Sequence, residues 1–182
     1  MIDKLVRDLM VHLDDYAVVN KDASLMDAVE ALEKAQKNLP PNRQPYRAVL
    51  VVDENRDVIG KIGQLAFIRA LEPKYNIIKD LDKLASAGVS GEFVSSMMEH
   101  FSLFEESLDD LCGKARGILV KDVMHPIEEH IDEDAPLSEA IHKMVVYQTL
   151  SILVTKDKKA VGLLRLSDLF EEVITNIKSS ST

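Results

Sequence analysis

The sequence contains a single cysteine, Cys112, among its 182 residues. One cysteine cannot form an intrachain disulfide, and it excludes a zinc site built from four cysteines. This cysteine usage favours a reducing, cytoplasmic compartment. Glycine is also scarce, with seven residues and no cluster of them, so a glycine-rich loop that cradles phosphate is absent.

Positive charge is outnumbered, with 22 Lys and Arg against 31 Asp and Glu, and the net charge is −9. This balance argues against binding to nucleic acid, which needs clustered cations, and against docking on anionic membranes. The longest apolar runs, such as Ala48–Val52, are far too short to cross a bilayer. The N-terminus has no apolar segment typical of a signal peptide.

Signatures of catalysis are missing as well. The sequence has no GxSxG, no P-loop, no HExxH and no Cys-x-x-Cys motif. Cys112 has no sequence partner that would make it a nucleophile. We therefore expect a protein that is not an enzyme and that holds no metal or cofactor as a resident group.

The most informative feature that is present is an internal repeat. Short segments recur in the same order in both halves of the chain, and the first copy carries extra residues in a loop near Asn38–Pro45. The matching segments are Val6–Met10 with Val120–Met124, Asp22–Leu25 with Asp134–Leu137, Val51–Val52 with Leu153–Val154, and Gly60 with Gly162.

Each copy predicts the element order β-α-β-β-α, since short apolar runs and turns flank helical periodicity. The predicted strands are Tyr16–Asn20, Ala48–Val52 and Val58–Ile62 in the first copy, and Glu128–Asp132, Ser151–Thr155 and Ala160–Leu164 in the second. The first helix of each copy is predicted to begin near Leu25 or Leu137. A second helix closes each copy, over Leu65–Leu71 in the first and Ser167–Ile177 in the second.

The segment between the copies predicts helices alone, over Ile77–Ala87, after Ser90 and after Ser102. The predicted organisation is therefore a first repeat over residues 1–74, a helical insert over 75–117 and a second repeat over 118–182.

The repeat order, the opening Asp122–Pro126 and the closing Gly162–Leu169 resemble a tandem pair of CBS domains, also called a Bateman module. The resemblance implies an α/β (α+β) fold in which two repeats pack pseudo-symmetrically through their sheets. It also implies a non-enzymatic regulatory homodimer that senses an adenosine-containing ligand, such as AMP, ADP, ATP or S-adenosylmethionine, and signals to an effector protein.

The same resemblance assigns a ligand site between the repeats. The position whose carboxylate accepts the ribose hydroxyls is Asp168 in repeat 2, whereas repeat 1 has Ala66 there. The position of a family Thr or Ser is Arg165, which would either bind a ligand phosphate or block the cleft, and Ser167 would partly replace that hydroxyl. The expected adenine lining is His125, Pro126, Ile127, Glu129, Ile152 and Val154.

Two alternatives remain open from the sequence. Repeat 1 lacks both signature residues, since Gly63 and Ala66 stand at those positions, and this favours a ligand-free oligomerisation or protein-interaction module that uses the helical insert. The acidic segment Glu128–Asp134, with the nearby His125, could instead sense a divalent cation.

Overall fold

The computed structural model describes residues 4–41, 43–76, 88, 90–102 and 106–179. Each of its two repeats contains the predicted β-α-β-β-α elements, preceded by one short strand that the sequence did not predict. Repeat 1 contains β1 (Val11–His12), β2 (Val18–Asn20), α1 (Leu25–Lys37), β3 (Ala48–Val52), β4 (Val58–Gly63) and α2 (Gln64–Leu71). Repeat 2 contains β5 (His125–Pro126), β6 (His130–Asp132), α5 (Leu137–Tyr147), β7 (Ser151–Lys156), β8 (Lys159–Arg165) and α6 (Leu166–Ser179).

The mixed α/β architecture of the expected fold is confirmed, and the predicted strand and closing-helix ends shift by at most two residues. Local signals explain this agreement. For example, Ser24 accepts a hydrogen bond from the backbone N–H of Asp27, and the Asp27 carboxylate accepts one from the backbone N–H of Ser24. This reciprocal capping box starts α1 at the predicted position.

The sequence pattern predicted neither the short strands β1 and β5 nor their exchange between the two repeats. One sheet has the order β1-β8-β7-β6 and the other β2-β3-β4-β5. Val11 of β1 therefore pairs with Leu163 of the other repeat, and His125 of β5 pairs with Lys61. Each sheet thus combines three strands of one repeat with a short strand of the other.

Three apolar clusters hold the fold together. One lies under α5 and α6 of repeat 2, and one lies under α1 and α2 of repeat 1. The third lies between the two sheets and joins the repeats, with Tyr16, Tyr46, Leu50, Leu153 and Leu163 in its centre. The repeats therefore share one interior, and the clefts at its ends are bounded by residues from both of them.

The insert is helical where the structure describes it, with α3 (Gly91–His100) capped by Ser90 and α4 (Leu108–Ala115) capped by Ser107. The prediction that the last of these helices starts after Ser102 is wrong, because the Ser107 hydroxyl accepts from the backbone N–H of Asp110. The helix predicted over Ile77–Ala87 lies outside the described residues. Helix α4 packs against α2 of repeat 1.

Candidate functional site

Asp168 lies in the first turn of α6, where the resemblance places the ribose carboxylate, and only 6% of its surface is exposed. Its two carboxylate oxygens accept hydrogen bonds from Arg165 at the end of β8. Nε donates to Oδ2 and Nη2 donates to Oδ1, each at 2.6 Å. Arg165 is equally buried, at 5% exposure. The two charges thus form a bidentate pair away from water.

The remaining donor of the guanidinium crosses to repeat 1. Nη1 of Arg165 donates to the backbone oxygens of Gln44 at 2.8 Å and Pro45 at 3.3 Å. The guanidinium also lies over the Tyr46 ring, 5.2 Å from its centroid, where the ring face attracts a cation. Arg165 therefore joins the closing helix of one repeat to a loop of the other.

Two tyrosines fill the space beside this ion pair. The rings of Tyr16 and Tyr46 are 4.7 Å apart, and both residues are buried. Gln36 on α1 fixes Tyr46 in this position, because its side chain donates to the Tyr46 carbonyl and accepts from the Tyr46 amide, each at 3.1 Å. The loop near Asn38–Pro45, which is longer than its counterpart in repeat 2, is thereby held across the cleft beside Asp168.

Burial changes the acidity of both phenols. Removal from water raises the pKa of Tyr16 to about 12, and the Arg165 charge opposes this shift. Burial also raises the pKa of Tyr46, again against the effect of Arg165. Both hydroxyls consequently remain protonated and neutral beside the ion pair.

A groove of about 680 Å³ adjoins the same residues. Tyr16 and Tyr46 line it, and its charged lining consists of three cations and two carboxylates (Lys34, Arg43, Arg56, Asp14 and Asp15). Arg43 also approaches Asp168, with 3.7 Å between Nη1 and Oδ1. The groove is thus open beside the Arg165 pair, although the pair itself is enclosed.

Several residues that the sequence assigned to the adenine lining lie elsewhere. Ile152 and Val154 are fully buried in the cluster under α5 and α6, and the intervening Leu153 faces the other sheet. Successive side chains of a strand point to opposite faces, so Ile152 and Val154 face the helices while Leu153 faces the space between the sheets.

The strand exchange moves a further part of the expected lining away from Asp168. His125 and Pro126 are exposed and pair with β4, in the sheet that does not contain β8. Ile127 packs against the inter-sheet cluster, and Glu129 is half-buried. Ser167, in the first turn of α6 beside Asp168, is half-buried. Of the predicted set, the structure brings Arg165 into direct contact with Asp168.

Sequence reasoning missed the contribution of repeat 1 to this cleft, above all Tyr46, Gln44 and Pro45. A signal existed in the longer loop of the first copy, which ends at these residues. The pairing that carries them to Asp168 depends on contacts between residues more than a hundred positions apart, such as Arg165 with Gln44.

Two further observations concern the whole described chain. Within residues 4–41, 43–76, 88, 90–102 and 106–179, no three His, Cys, Asp or Glu side chains converge as they would around a metal ion. The helices in that same part of the chain are all too short or too polar to span a bilayer.

Two β-α-β-β-α units, each preceded by a short strand that joins the sheet of the other unit, define a tandem-repeat module with clefts at the repeat interface. The CBS domain family profile matches residues 6–73 and 120–175, and the chain therefore belongs to the CBS domain family. Members that pair two such domains are generally regulatory modules rather than catalysts.

The chain is also similar in sequence to a protein of Bacillus subtilis. YlbB, an uncharacterized protein of Bacillus subtilis (strain 168), is 35% identical over 74 residues, which are 36% of this chain and 50% of YlbB. The matched part thus spans half the length of that relative.

Solved structures share the fold over nearly the full chain. A CBS domain-containing protein of unknown function from Bacillus anthracis str. Ames Ancestor has a TM-score of 0.62 at 15% identity, with 94% of each chain covered. CBSX2, a CBS-pair protein from Arabidopsis thaliana, has a TM-score of 0.60 at 16% identity, with 97% of this chain and 98% of CBSX2 covered. CBSX2 in complex with AMP has a TM-score of 0.58 at 19% identity, with 94% and 97% covered.

Proposed function

We propose that this chain is a CBS-pair regulatory module that acts through protein contacts and whose repeat-2 cleft is closed to ribose by its own side chains. The observation that carries the proposal is the pair between Arg165 and Asp168. It occupies both oxygens of the carboxylate that would accept ribose hydroxyls.

Opening that pair is energetically unfavourable. A ribose at Asp168 would have to displace Arg165, and this would leave a buried guanidinium without its counter-ion. Removal of one partner from a buried ion pair costs about 3–5 kcal/mol. An adenosyl ligand would have to recover this free energy before it gained any affinity, so its binding through Asp168 is weak.

The surface for protein contact is the outer face of α5 and α6, which we call the apolar face. Its large side chains are exposed, and a groove of about 470 Å³ between the helices is lined without a single charged residue. The main exposed side chains are Val145 at 70%, Val146 at 74%, Leu150 at 75% and Phe170 at 60%. Exposed apolar patches of this kind mark interaction sites.

The partner that we propose for the apolar face is a second copy of this chain. Two copies each carry a net charge of −9, so they repel one another unless they meet through an uncharged surface. On repeat 1, the corresponding helix α2 is partly covered by α4 of the insert. The dimer would therefore form through repeat 2, and an effector protein would respond to its arrangement.

A second candidate function is a sensor of adenosine-containing ligands, such as AMP, ADP, ATP or S-adenosylmethionine. The open groove beside Tyr16, Ala17 and Tyr46 favours it, because Arg43 and Lys34 could contact a phosphate there. CBSX2, which shares this fold, has been crystallised with AMP.

Thermal unfolding with ribose-containing ligands separates the two functions. Adenosine, S-adenosylmethionine and AMP are added to the wild type, Asp168→Asn and the control Arg47→Ser, whose arginine is exposed. We expect none of these ligands to shift the midpoint of the wild type, and a shift that survives Asp168→Asn would place the ligand in the groove beside Arg43 and Lys34 and favour the sensor. A ligand at a hundred times its Kd would add about 2.7 kcal/mol, or roughly 5–10 °C. Such a shift in the wild type, lost in Asp168→Asn and kept in Arg47→Ser, would overturn the proposal and establish the sensor.

A further inference from the structure

Repeat 1 exposes apolar side chains at the place where repeat 2 has its apolar face. Helices α1 and α2 pack on one apolar cluster, as α5 and α6 pack on the equivalent cluster of repeat 2. On the outer side of α1 and α2, Met26 is 48% exposed, Leu65 71% and Ile68 62%. Ile68 occupies the position of Phe170 in the internal repeat. We call this outer surface of α1 and α2 the repeat-1 face.

The repeat-1 face differs from the apolar face in its charge. Val145 and Val146 are exposed on α5, and the equivalent residues of α1 are Glu33 and Lys34. Lys34 lines the groove beside Tyr16. Glu33 is exposed, and no residue that the structure describes forms an ion pair with it. Repeat 1 thus presents an unpaired carboxylate where repeat 2 is uncharged.

Other carboxylates lie on the helices of the repeat-1 face and on the insert helix beside it. Glu30 is three residues before Glu33, and residues at this spacing are neighbours on a helix surface. Helix α4 packs against α2 and carries the exposed Asp109 in its first turn. Within the described part of the chain, neither Glu30 nor Asp109 has an ion-pair partner. Of the cations here, Lys37 is exposed in the last turn of α1, whereas Arg69 of α2 is half-buried and makes interactions of its own.

This excess of carboxylates determines which partner the repeat-1 face can bind. A second copy of the chain carries a net charge of −9 and is repelled by an acidic surface. A partner with cations is attracted to it, and its apolar side chains can cover Leu65 and Ile68. An amphipathic helix with a basic side combines both properties.

We infer that the repeat-1 face is the docking surface for an effector protein, which binds it with a basic amphipathic helix. Leu65 and Ile68, three residues apart on one side of α2, would be the apolar anchors. Glu30, Glu33 and Asp109 would attract the cations of the helix. The inference rests on the proposed function, because it supplies the partner site of a module that acts through protein contacts.

Binding of a synthetic peptide to the full chain tests this inference. The probe is a fluorescently labelled helical peptide of about 15 residues, with leucine on one side and lysine on the other. Fluorescence anisotropy measures its Kd at low and at high salt. We expect binding that weakens about tenfold or more at high salt, since salt screens exposed charges. The same peptide with glutamate in place of lysine should not bind.

Two matched double variants locate the bound peptide. Leu65→Ser/Ile68→Ser removes the anchors of the repeat-1 face without a change of charge and should weaken binding about tenfold or more. Val145→Ser/Phe170→Ser makes the same kind of change on the apolar face and should leave the Kd unchanged. All four side chains are at least 60% exposed, so neither variant removes part of the core.

A third variant tests the role of the charges. Glu30→Gln/Glu33→Gln should weaken binding about fivefold at low salt. The control Asp157→Asn, which changes an exposed carboxylate between β7 and β8, should leave the Kd unchanged. The inference is overturned if the wild type does not bind the lysine peptide, if the glutamate peptide binds equally well, or if Leu65→Ser/Ile68→Ser keeps the affinity.

Sedimentation velocity on the same variants separates this inference from the proposed function. Leu65→Ser/Ile68→Ser should remain a dimer, and Val145→Ser/Phe170→Ser should become a monomer. Peptide binding that is lost only in the latter variant would overturn the inference and place the peptide on the apolar face. A monomeric wild type that binds the peptide through Leu65 and Ile68 would support the inference and contradict the dimer of the proposed function.

Discussion

Arg165 and Asp168 are three residues apart in the sequence and bind each other through two hydrogen bonds of 2.6 Å in the interior of the protein. Arg165 is the last residue of β8, and Asp168 lies in the first turn of α6, which follows directly. The third arm of the guanidinium reaches Gln44 in the other repeat. One arginine therefore occupies both oxygens of the Asp168 carboxylate and also joins the two repeats.

Removal of one partner of this pair should be more harmful than removal of both. Arg165→Met should lower the free energy of unfolding by about 3–5 kcal/mol, because it removes both hydrogen bonds to the buried Asp168 carboxylate and leaves that group only the longer contact with Arg43. The double variant Arg165→Met/Asp168→Leu should recover most of that loss. Urea unfolding measures both, and Arg116→Met, at an exposed position, serves as the control. A double variant as unstable as the single one would contradict this interpretation.

The strand exchange depends on a glycine in each repeat. A Cβ at Gly162 would lie 2.6 Å from the backbone oxygen of Val11 and 2.9 Å from Sδ of Met10. Gly162→Ala should therefore destabilise the protein by about 1–3 kcal/mol, since the backbone of β1 must shift. Gly113→Ala, within α4 and with nothing within 4 Å, should instead stabilise it by about 0.5–1 kcal/mol. Equal effects in denaturant unfolding would refute the close approach of β1.

Alkaline pH should reveal the burial of Tyr16. Its pKa is about 12 in the folded protein and about 10 when unfolded, so folding favours the protonated phenol. The stabilisation is complete below pH 10 and is lost as the pH rises towards 12, and it amounts to about 2–3 kcal/mol. The free energy of unfolding of Tyr16→Phe should therefore not show this decrease between pH 10 and 12. The exposed Tyr147→Phe should keep it, and identical profiles for the two variants would show that Tyr16 ionises normally.

The apolar face should control the oligomeric state. Phe170→Asp places a charge on this face, where burial against a second copy would leave it without a partner. Sedimentation velocity should show a dimer for the wild type and a monomer for this variant. Leu108→Asp changes a residue of similar exposure on α4, at 69%, and should leave the dimer intact. A wild-type monomer, or a dimer that survives Phe170→Asp, would exclude this face as the interface.

Much of the fold follows from local sequence signals. The strands Ala48–Val52 and Ser151–Lys156, the capping box of Ser24 and the duplicated β-α-β-β-α order depend on neighbours within a few residues. Periodicity and capping act over that same distance, so the sequence is sufficient for these elements. The resemblance to a tandem pair of CBS domains also implied that two similar units would pack together.

The sequence predicted less of the candidate site than of the fold. Asp168 and Arg165 could be singled out, but the pattern left open whether the arginine binds a phosphate or blocks the cleft. The side chains of Ile152 and Val154, assigned to the lining, face the helices, because the face of a strand depends on which side the helices cover. A pattern of consecutive apolar residues in β7 does not distinguish its two faces.

The sequence by itself determined the repeats, their elements and the two charged residues at the end of β8. The tertiary structure decided that β1 and β5 exchange between the repeats and that Tyr16 and Tyr46 fill the space next to Arg165. These outcomes depend on contacts between distant segments, whose free energy comes from burial and from pairing charges away from water. Local sequence patterns do not contain that information, because the partners meet only when both sheets have formed.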